Sequence, residues 1–284
     1  MIAIIQPHNI KAHNEAVEGF LKYLGRHLKQ DFRTSIYESP QGLYSVLNKD
    51  KSLQIDLILT VGAEATAEVS QTIFDIPIVF TMVLDPDKIL QQRPDIGGAS
   101  INIPLDYQLN LIKAMLPNAK TVGVIYDPVR NADFVANSIE VAKRLGLQIQ
   151  AFPVNSQKEV PEALDDVIEK TDVLWGIADY TVYNSRTTES ILRNTLKARL
   201  PFIGSSELYV KAGALCSLAF SNEEIGRQAA ELAIRRLSSE SRLLKTPEST
   251  TPANIQLVIN LQTAEIIGVD IPKNLREQAS IVYE

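Results

Sequence analysis

Short, continuous apolar runs alternate with longer amphipathic stretches through most of this chain. Residues 2–5 are all apolar, and residues 56–61 are nearly so. The stretch between them at residues 11–29 places Ala16, Phe20 and Leu24 on one stripe, as in a helix that is buried on one side. Strands without polar alternation are typical of parallel sheets covered by helices on both faces. The pattern therefore predicts an α/β fold with doubly wound parallel sheets.

The alternation runs in two successive series, which predicts two α/β lobes. Strands are predicted at residues 2–5, 32–37, 56–61 and 76–83 in the first series and at 121–126, 147–154, 172–177 and 201–204 in the second. Two further strands are predicted at 214–220 and 255–259, a long helix at 222–237 and a closing helix from about 274. A chain of 284 residues also exceeds the usual length of one domain.

The expected domain boundaries follow from the break in the pattern near residues 101–104. We assign residues 1–101 plus about 222–245 to an N-terminal lobe, and residues 102–221 plus about 246–284 to a C-terminal lobe. Three crossings, near 101–104, 220 and 245, would form the hinge, with a ligand cleft between the lobes. Residues 238–252 are rich in Ser, Thr and Pro, which is typical of an exposed connection.

Composition removes several classes of function. The formal net charge is −6, which argues against nonspecific nucleic-acid binding. A single cysteine, Cys216, excludes an internal disulfide and every multi-cysteine metal motif. His8 and His13 fit solvated loop and helix residues better than a metal site. No phosphate loop, dinucleotide fingerprint or nucleophile elbow occurs, and no apolar run is long enough to span a membrane. We therefore expect no cofactor, no metal and no nucleic-acid partner.

Polar loops at the ends of the predicted strands are the remaining candidates for a functional site. In open α/β sheets, ligands bind at the carboxyl ends of the strands, where the strand order switches. The candidates in the first lobe are Gln6, Gly62, Ala63, Glu64, Ala65, Thr81 and Asp85, and those in the second are Tyr126, Asp127, Asn131, Asp179, Tyr180 and Ser205. Each also has a local interpretation, since Asp-Pro pairs begin turns and a glycine permits a helix start.

Five segments in order along the chain carry a family resemblance. They read LTVGAEA at 59–65, VFTMVLDP at 79–86, LPNAKTVGVIY at 116–126, EIGRQAA at 224–230 and NLQTA at 260–264. With them the chain resembles the substrate-binding proteins of ABC transporters that have the type I periplasmic binding fold, in the branch with tryptophan- and tyrosine-binding members. The likeness spans nearly the whole chain. It is weakest in the loops, at residues 97–98, at Asp127 and at Tyr180.

The resemblance implies a binding protein that makes or breaks no bond. Its ligand would stabilise a closed form, which a membrane permease recognises. It further implies a monomeric, periplasmic or otherwise extracytoplasmic protein that is membrane-anchored, with the targeting segment absent from this chain. Three alternatives remain: the ligand-sensing domain of a receptor, a regulator of the sugar-repressor type with a DNA-binding headpiece, and an enzyme.

The resemblance and simple electrostatics together suggest a small zwitterionic ligand. A free carboxylate suits backbone N–H groups at a helix start, here residues 63–65. Asp179 is the first candidate to pair with an ammonium group and Asp85 the second. Tyr126 and Tyr180 would supply aromatic walls, which favours an aromatic amino acid over another amino acid, a small amide, a sugar or a nucleoside. We expect loss of Asp179 to leave the fold intact.

Overall fold

The chain divides into two compact units. A computed structural model describes residues 1–28, 32–49, 53–91, 93–238 and 248–284. Unit 1 comprises Met1–Ile103 and Phe220–Asn254, and unit 2 comprises Pro104–Ala219 and Ile255–Glu284. The chain therefore passes three times from one unit to the other. The third crossing predicted from sequence, near residue 245, lies outside the described residues, and the passage itself is at residues 254–255.

Strands and helices alternate regularly along the described residues. The strands are β1 (Ile2–Ile5), β2 (Thr34–Tyr37), β3 (Leu57–Val61), β4 (Ile78–Val83), β5 (Gly97–Ser100), β6 (Thr121–Tyr126), β7 (Gln148–Pro153), β8 (Val173–Trp175), β9 (Phe202–Gly204), β10 (Cys216–Ala219), β11 (Ser249–Thr250), β12 (Gln256–Asn260) and β13 (Ile281–Tyr283). The helices are α1 (Lys11–His27), α2 (Pro40–Lys49), α3 (Ala63–Thr72), α4 (Pro86–Ile89), α5 (Leu105–Met115), α6 (Pro128–Arg144), α7 (Val160–Lys170), α8 (Thr188–Lys197), α9 (Glu207–Lys211), α10 (Asn222–Ser238), α11 (Leu261–Ile267) and α12 (Lys273–Gln278).

Each unit contains one sheet, and both sheets are dominated by parallel pairs. The order in unit 1 is β11-β5-β4-β3-β1-β2, with every neighbouring pair parallel. The order in unit 2 is β13-β12-β10-β9-β8-β6-β7. The predicted α/β class with two parallel-sheet lobes is thus confirmed. One pair differs, because β12 runs antiparallel to β10.

Both sheets switch strand order at an equivalent place. In unit 1 the chain goes from β1 to the edge strand β2 and then crosses to β3 on the other side of β1. In unit 2 it goes from β6 to β7 and then to β8 on the other side of β6. The loops after β1 and β3, and those after β6 and β8, therefore flank the two switch points.

The solid apolar runs reflect burial on both faces of the sheet. In β1, Ile2 and Ile4 pack in the cluster that contains residues of α1 and α10. The intervening Ala3 and Ile5 pack in a second cluster, with residues of α2 and α3. All four side chains are at most 2% exposed. Alternate residues point to opposite faces, so a strand covered on both sides carries no polar position.

Helices α1 and α10 cross at two glycines. A Cβ placed on Gly19 would overlap the backbone carbonyl of Glu223, and one placed on Gly226 would overlap the carbonyl of Ala16. The two backbones can therefore touch only where these side chains are absent. Around the crossing, Lys22 Nζ lies 2.6 Å from Glu223 Oε1, and Asn222 Nδ2 donates a 2.9 Å bond to Glu15.

Several short elements escaped the sequence pattern. The glycine pair at 97–98, placed in a loop by sequence reasoning, lies in the buried strand β5, where a Cβ on Gly98 would overlap Phe80. Within the predicted connection 238–252, of which residues 239–247 lie outside the described part, Ser249–Thr250 forms β11 beside β5. The closing helix ends at Gln278, and strand β13 follows it. These runs of two to four residues are too short for hydrophobic periodicity to reveal.

Among the described helices, none combines the length and the apolar character that crossing a membrane requires.

Candidate functional site

The switch point of unit 1 is lined by polar side chains that follow β1 and β3. Gln6 comes directly after β1, and its Nε2 donates to Asn14 Oδ1 at 2.5 Å. His8, further along the same loop, lies with Nε2 3.0 Å from Glu64 Oε2, in the first turn of α3. Both side chains of that pair are mostly exposed. The loops after β1 and β3 are thus linked by a solvent-facing contact between His8 and Glu64.

Helix α3 begins at Gly62 without a side-chain cap. Gly62 has φ +86° and donates its N–H to the carbonyl of Thr81 at 2.9 Å. The next two residues, Ala63 and Glu64, are exposed, whereas Ala65 is buried. The start of a helix carries N–H groups without backbone partners and a partial positive charge. The predicted residues 62–65 therefore form a helix start that is suited to a carboxylate.

His13 packs directly against this glycine. A Cβ on Gly62 would lie 3.1 Å from Cε1 of His13, so both the positive φ and the close imidazole favour glycine here. Burial, followed by the charge of the neighbouring His8, lowers the pKa of His13 from its ordinary value. Within the described part of the chain, Nδ1 of His13 is buried and has no hydrogen-bond partner. His13 is therefore held as a neutral ring.

Thr81 and Asp85 lie at the end of β4. The Thr81 hydroxyl is fully buried and finds no partner among the described residues. Asp85 has a left-handed backbone (φ +50°), and its Oδ1 accepts a 3.1 Å bond from Asn102 Nδ2. The Asn102 Oδ1 in turn accepts from the Asp85 N–H at 3.0 Å. Asp85 is thus tied to the segment that follows β5, just before the first passage out of unit 1.

The switch point of unit 2 contains two buried carboxylates. Asp127 caps α6, because its Oδ1 accepts from the Val129 N–H at 2.9 Å. Its Oδ2 accepts from the Thr181 hydroxyl at 2.8 Å and lies 3.5 Å from Arg130 Nε. Asp127 is 7% exposed and Asp179 is 4% exposed. The loops after β6 and β8 are therefore joined through their acidic residues.

Asp179 is surrounded by donors from its own unit. Its Oδ2 accepts from the Asp127 N–H at 2.7 Å and from Asn131 Nδ2 at 2.8 Å. Its Oδ1 accepts from the N–H groups of Thr181 and Val182 at 3.0 and 3.3 Å. A carboxylate has about four acceptor positions, and here all of them are used. Removal of Asp179 would leave four donors without this acceptor, two of them in buried hydrogen bonds, so we expect it to cost stability even where the fold survives.

Aromatic side chains flank the acidic pair. Tyr180 is 61% exposed, and the guanidinium carbon of Arg130 lies 3.8 Å from the centre of its ring. Asn184 Nδ2 fixes the loop by donating to the Tyr180 carbonyl at 3.0 Å. Tyr126, at the end of β6, is half-buried, and Ser205 is exposed after β9. The structure thus brings Tyr126, Asp127, Asn131, Asp179 and Tyr180 to one edge of the unit 2 sheet.

Sequence reasoning missed four contributors to these loops. His13 was interpreted as solvated, yet it packs on Gly62. Arg130, Thr181 and Asn102 carried no prediction, although each contacts a predicted residue. A signal existed only for Arg130, which follows Asp127 by three positions at the start of a helix, where side chains meet. In the described part of the chain, no three His, Cys, Asp or Glu side chains are grouped so that they could hold a metal ion.

The sequence model for the family described as ABC transporter substrate binding protein matches residues 1–283. This chain belongs to the ABC transporter substrate-binding protein family. The resemblance seen in the sequence is confirmed, and with it a role in binding a small solute for a membrane transporter. Proteins of this family act outside the cytoplasm, and the match is to a binding component rather than to an enzyme.

The chain is also similar to three individual proteins, one relative in sequence and two solved structures. A tyrosine-binding protein from Clostridioides difficile strain R20291 is 29% identical over 273 residues, which are 90% of this chain and 77% of that protein. The ligand-free, open structure of a substrate-binding protein with adhesive properties from Clostridium difficile matches with a TM-score of 0.81 at 24% identity, covering 99% of this chain and 98% of that one. A domain from Streptococcus pneumonia in complex with L-Trp matches with a TM-score of 0.71 at 19% identity, with the same coverage. These two structures share the fold.

Proposed function

We propose that the protein captures an aromatic amino acid for an ABC importer. The observation that carries the proposal is the complementary character of the two switch points. Unit 1 presents an uncapped helix start at Gly62, and unit 2 presents the buried acids Asp127 and Asp179. A free amino acid carries one group for each, a carboxylate and an ammonium. The relative from C. difficile described as tyrosine-binding supports the aromatic class.

The carboxylate of the ligand would bind at the start of α3. The exposed Ala63 and Glu64 place their backbone N–H groups in the first turn. Beside this turn the His8 ring lies 3.0 Å from the Glu64 carboxylate, so a protonated His8 would offset that negative charge. In that state a ligand carboxylate is more favourable here than the side chain of Glu64 alone suggests. Gln6 and Thr81 contribute further polar groups near this edge.

The ammonium group would bind beside the acidic pair of unit 2. Arg130 offsets one of the two negative charges, which leaves an excess of one. Asp127 Oδ1 accepts one hydrogen bond in the described structure, from Val129, so it can accept another. Asp127 therefore becomes the first contact, with Asp179 holding it in place. Asp85, whose side chain is about a third exposed, is the second candidate.

The proposal includes a mechanical consequence and a cellular setting. Binding of the ligand would favour a closed form that the permease recognises. We further propose that the protein is monomeric and anchored at the outer face of the membrane. Small-angle scattering should show a smaller radius of gyration with ligand, and sedimentation should give the mass of one chain. Fractionation of the producing cells tests the anchor.

A ligand panel tests the proposed function directly. Thermal unfolding is followed with each of the twenty amino acids, ribose and adenosine. A true ligand at a hundred times its Kd should stabilise the native state by about 2.7 kcal/mol. We expect phenylalanine, tyrosine and tryptophan to act most strongly. Stabilisation by ribose or adenosine with none from any amino acid would overturn the ligand assignment.

An isosteric variant tests the ammonium contact. Asp127→Asn keeps a good helix N-cap but removes the negative charge. Calorimetry should show affinity weakened by about 2–5 kcal/mol, because the ammonium group loses its charged partner. Asp165→Asn on the exposed face of α7 is the control and should bind normally. Normal affinity in Asp127→Asn would remove this residue from the site.

A further inference from the structure

We propose that Arg130 and Tyr180 together form an aromatic platform that selects the ligand's side chain, with a preference for electron-rich rings. The inference rests on the proposed function, in that it assumes an amino acid bound beside Asp127. It adds a specificity device in which Arg130, whose charge offsets one of the two acids, also acts on the ligand's side chain through Tyr180. The platform would distinguish aromatic from aliphatic amino acids, and indole or phenol from phenyl.

The geometry leaves one face of the Tyr180 ring available. Arg130 covers the other face, with its guanidinium carbon 3.8 Å from the ring centre, while the residue as a whole remains 61% exposed. Arg130 is itself held by Asp127, because the Arg130 Nε lies 3.5 Å from Asp127 Oδ2. The Tyr180 backbone is held by Asn184, which donates to its carbonyl at 3.0 Å. The ring is therefore fixed at both its backbone and its covered face before any ligand arrives.

This fixed ring lies next to the residue that would bind the ammonium group. Thr181 follows Tyr180 directly and donates its hydroxyl to Asp127 Oδ2 at 2.8 Å. Asp127, Arg130 and Tyr180 thus form one connected assembly around the loop after β8. In an amino acid the ammonium group and the side chain are bonded to the same carbon atom. A ligand anchored at Asp127 would therefore present its side chain close to Tyr180.

A ring that is stacked under a cation favours a particular partner. The positive guanidinium attracts the π electrons of the tyrosine ring toward the face that it covers. The opposite face of the ring therefore becomes less negative. Such a face stacks better with the electron-rich rings of tryptophan and tyrosine than with the ring of phenylalanine. The prior immobilisation of Tyr180 also lowers the entropy lost when the ligand binds. Both effects disappear if the guanidinium is removed.

Ratios of affinities measure the effect without depending on the overall strength of binding. Calorimetry gives Kd values for tryptophan, phenylalanine and leucine with the wild type and with Tyr180→Leu, Tyr180→Phe and Arg130→Met. Tyr180→Leu should reduce the preference for tryptophan over leucine by about three- to tenfold, the range of an aromatic pair. Tyr180→Phe keeps the ring and should keep the preference. Arg130→Met should lower the preference for tryptophan over phenylalanine by about two- to threefold.

Arg130 acts through Tyr180, so a double variant is the decisive readout. In the Tyr180→Leu background, Arg130→Met should leave the ratios unchanged, since the ring it polarises is gone. Arg144→Met, in the last turn of the same helix, is the control and should preserve every ratio. Arg144 forms an exposed ion pair with Asp106 and lies at the opposite end of α6.

The outcomes separate this inference from the proposed function. If the wild type binds aromatic amino acids and the ratios survive in Tyr180→Leu, the platform is overturned and the proposed function stands. If Arg130→Met changes the ratios equally with and without Tyr180, the pairing of the two residues is overturned. If the wild type binds no aromatic amino acid, the proposed function fails and the platform fails with it.

Discussion

The backbone N–H of Asp127 donates a 2.7 Å hydrogen bond to Oδ2 of Asp179, 52 residues further along the chain. This bond joins the loop after β6 to the loop after β8, across the switch point of the unit 2 sheet. A single carboxylate thereby holds the N-terminus of α6 and the turn that carries Tyr180.

The first prediction concerns the stability that Asp179 provides. Asp179→Ala leaves its four donors without an acceptor, so we expect the free energy of unfolding to fall by about 2–5 kcal/mol. Urea unfolding followed by the fluorescence of Trp175, the single tryptophan and a core residue of the same unit, measures this. Asp165→Ala on the surface should change little. An unchanged midpoint in Asp179→Ala would contradict the hydrogen-bonding role.

The second prediction concerns the crossing of α1 and α10. Gly19→Ala and Gly226→Ala each push a methyl group into the backbone of the opposite helix, so each should destabilise unit 1 by about 1–3 kcal/mol or more. Gly25→Ala is the matched control on α1. Its Cβ would meet nothing within 4 Å, and helix propensity predicts stabilisation of about 0.5–1 kcal/mol. Calorimetric unfolding should therefore shift in opposite directions, and unchanged or raised stability in Gly19→Ala and Gly226→Ala would refute the crossing.

The third prediction concerns a buried hydroxyl in unit 2. Tyr183 stacks on Phe202 in the core, and its hydroxyl has no hydrogen-bond partner in the described part of the chain. Burial raises the pKa of this phenol far above its ordinary value. Tyr183→Phe should therefore hold or raise the free energy of unfolding, by up to about 1–2 kcal/mol.

Tyr283 serves as the comparison for Tyr183, because its hydroxyl donates to Glu207 at 2.7 Å. Tyr283→Phe removes that bond and should lower the free energy of unfolding. Urea unfolding of both variants gives the two signs. A clear loss of stability in Tyr183→Phe would mean that its hydroxyl is paired after all.

The fourth prediction is a pH dependence that arises from His13. Burial lowers its pKa in the folded protein below the ordinary value of 6.5, so the unfolded chain binds the extra proton more readily. Stability is therefore complete above about pH 6.5 and falls as the pH drops from there toward the folded pKa. His13→Gln should flatten the unfolding free energy between pH 7 and pH 5. The same slope in wild type and variant would exclude His13 as its origin.

The sequence by itself determined the class of fold and the order of its main elements. Apolar runs such as residues 2–5 indicated strands that are covered on both faces, because the side chains on both faces of such a strand are buried. The position of Asp127 and Asp179 after two such strands also placed both at the carboxyl edge of one sheet. These are local facts, since a strand and the loop that follows it are contiguous in the chain.

Only the tertiary structure decided which side chains at those edges meet. The four donors around Asp179 come from the loops after β6 and β8 and from Asn131 in α6, and Arg130 lies over Tyr180 from a helix 50 positions earlier in the chain. His13 reaches Gly62 from α1, and nothing in the residues near either one indicates the contact. The direction of β12 and the pairing of β11 likewise depend on where the chain returns. Hydrophobic periodicity reports the burial of a residue, whereas partners distant in sequence are fixed by packing, which no local pattern encodes.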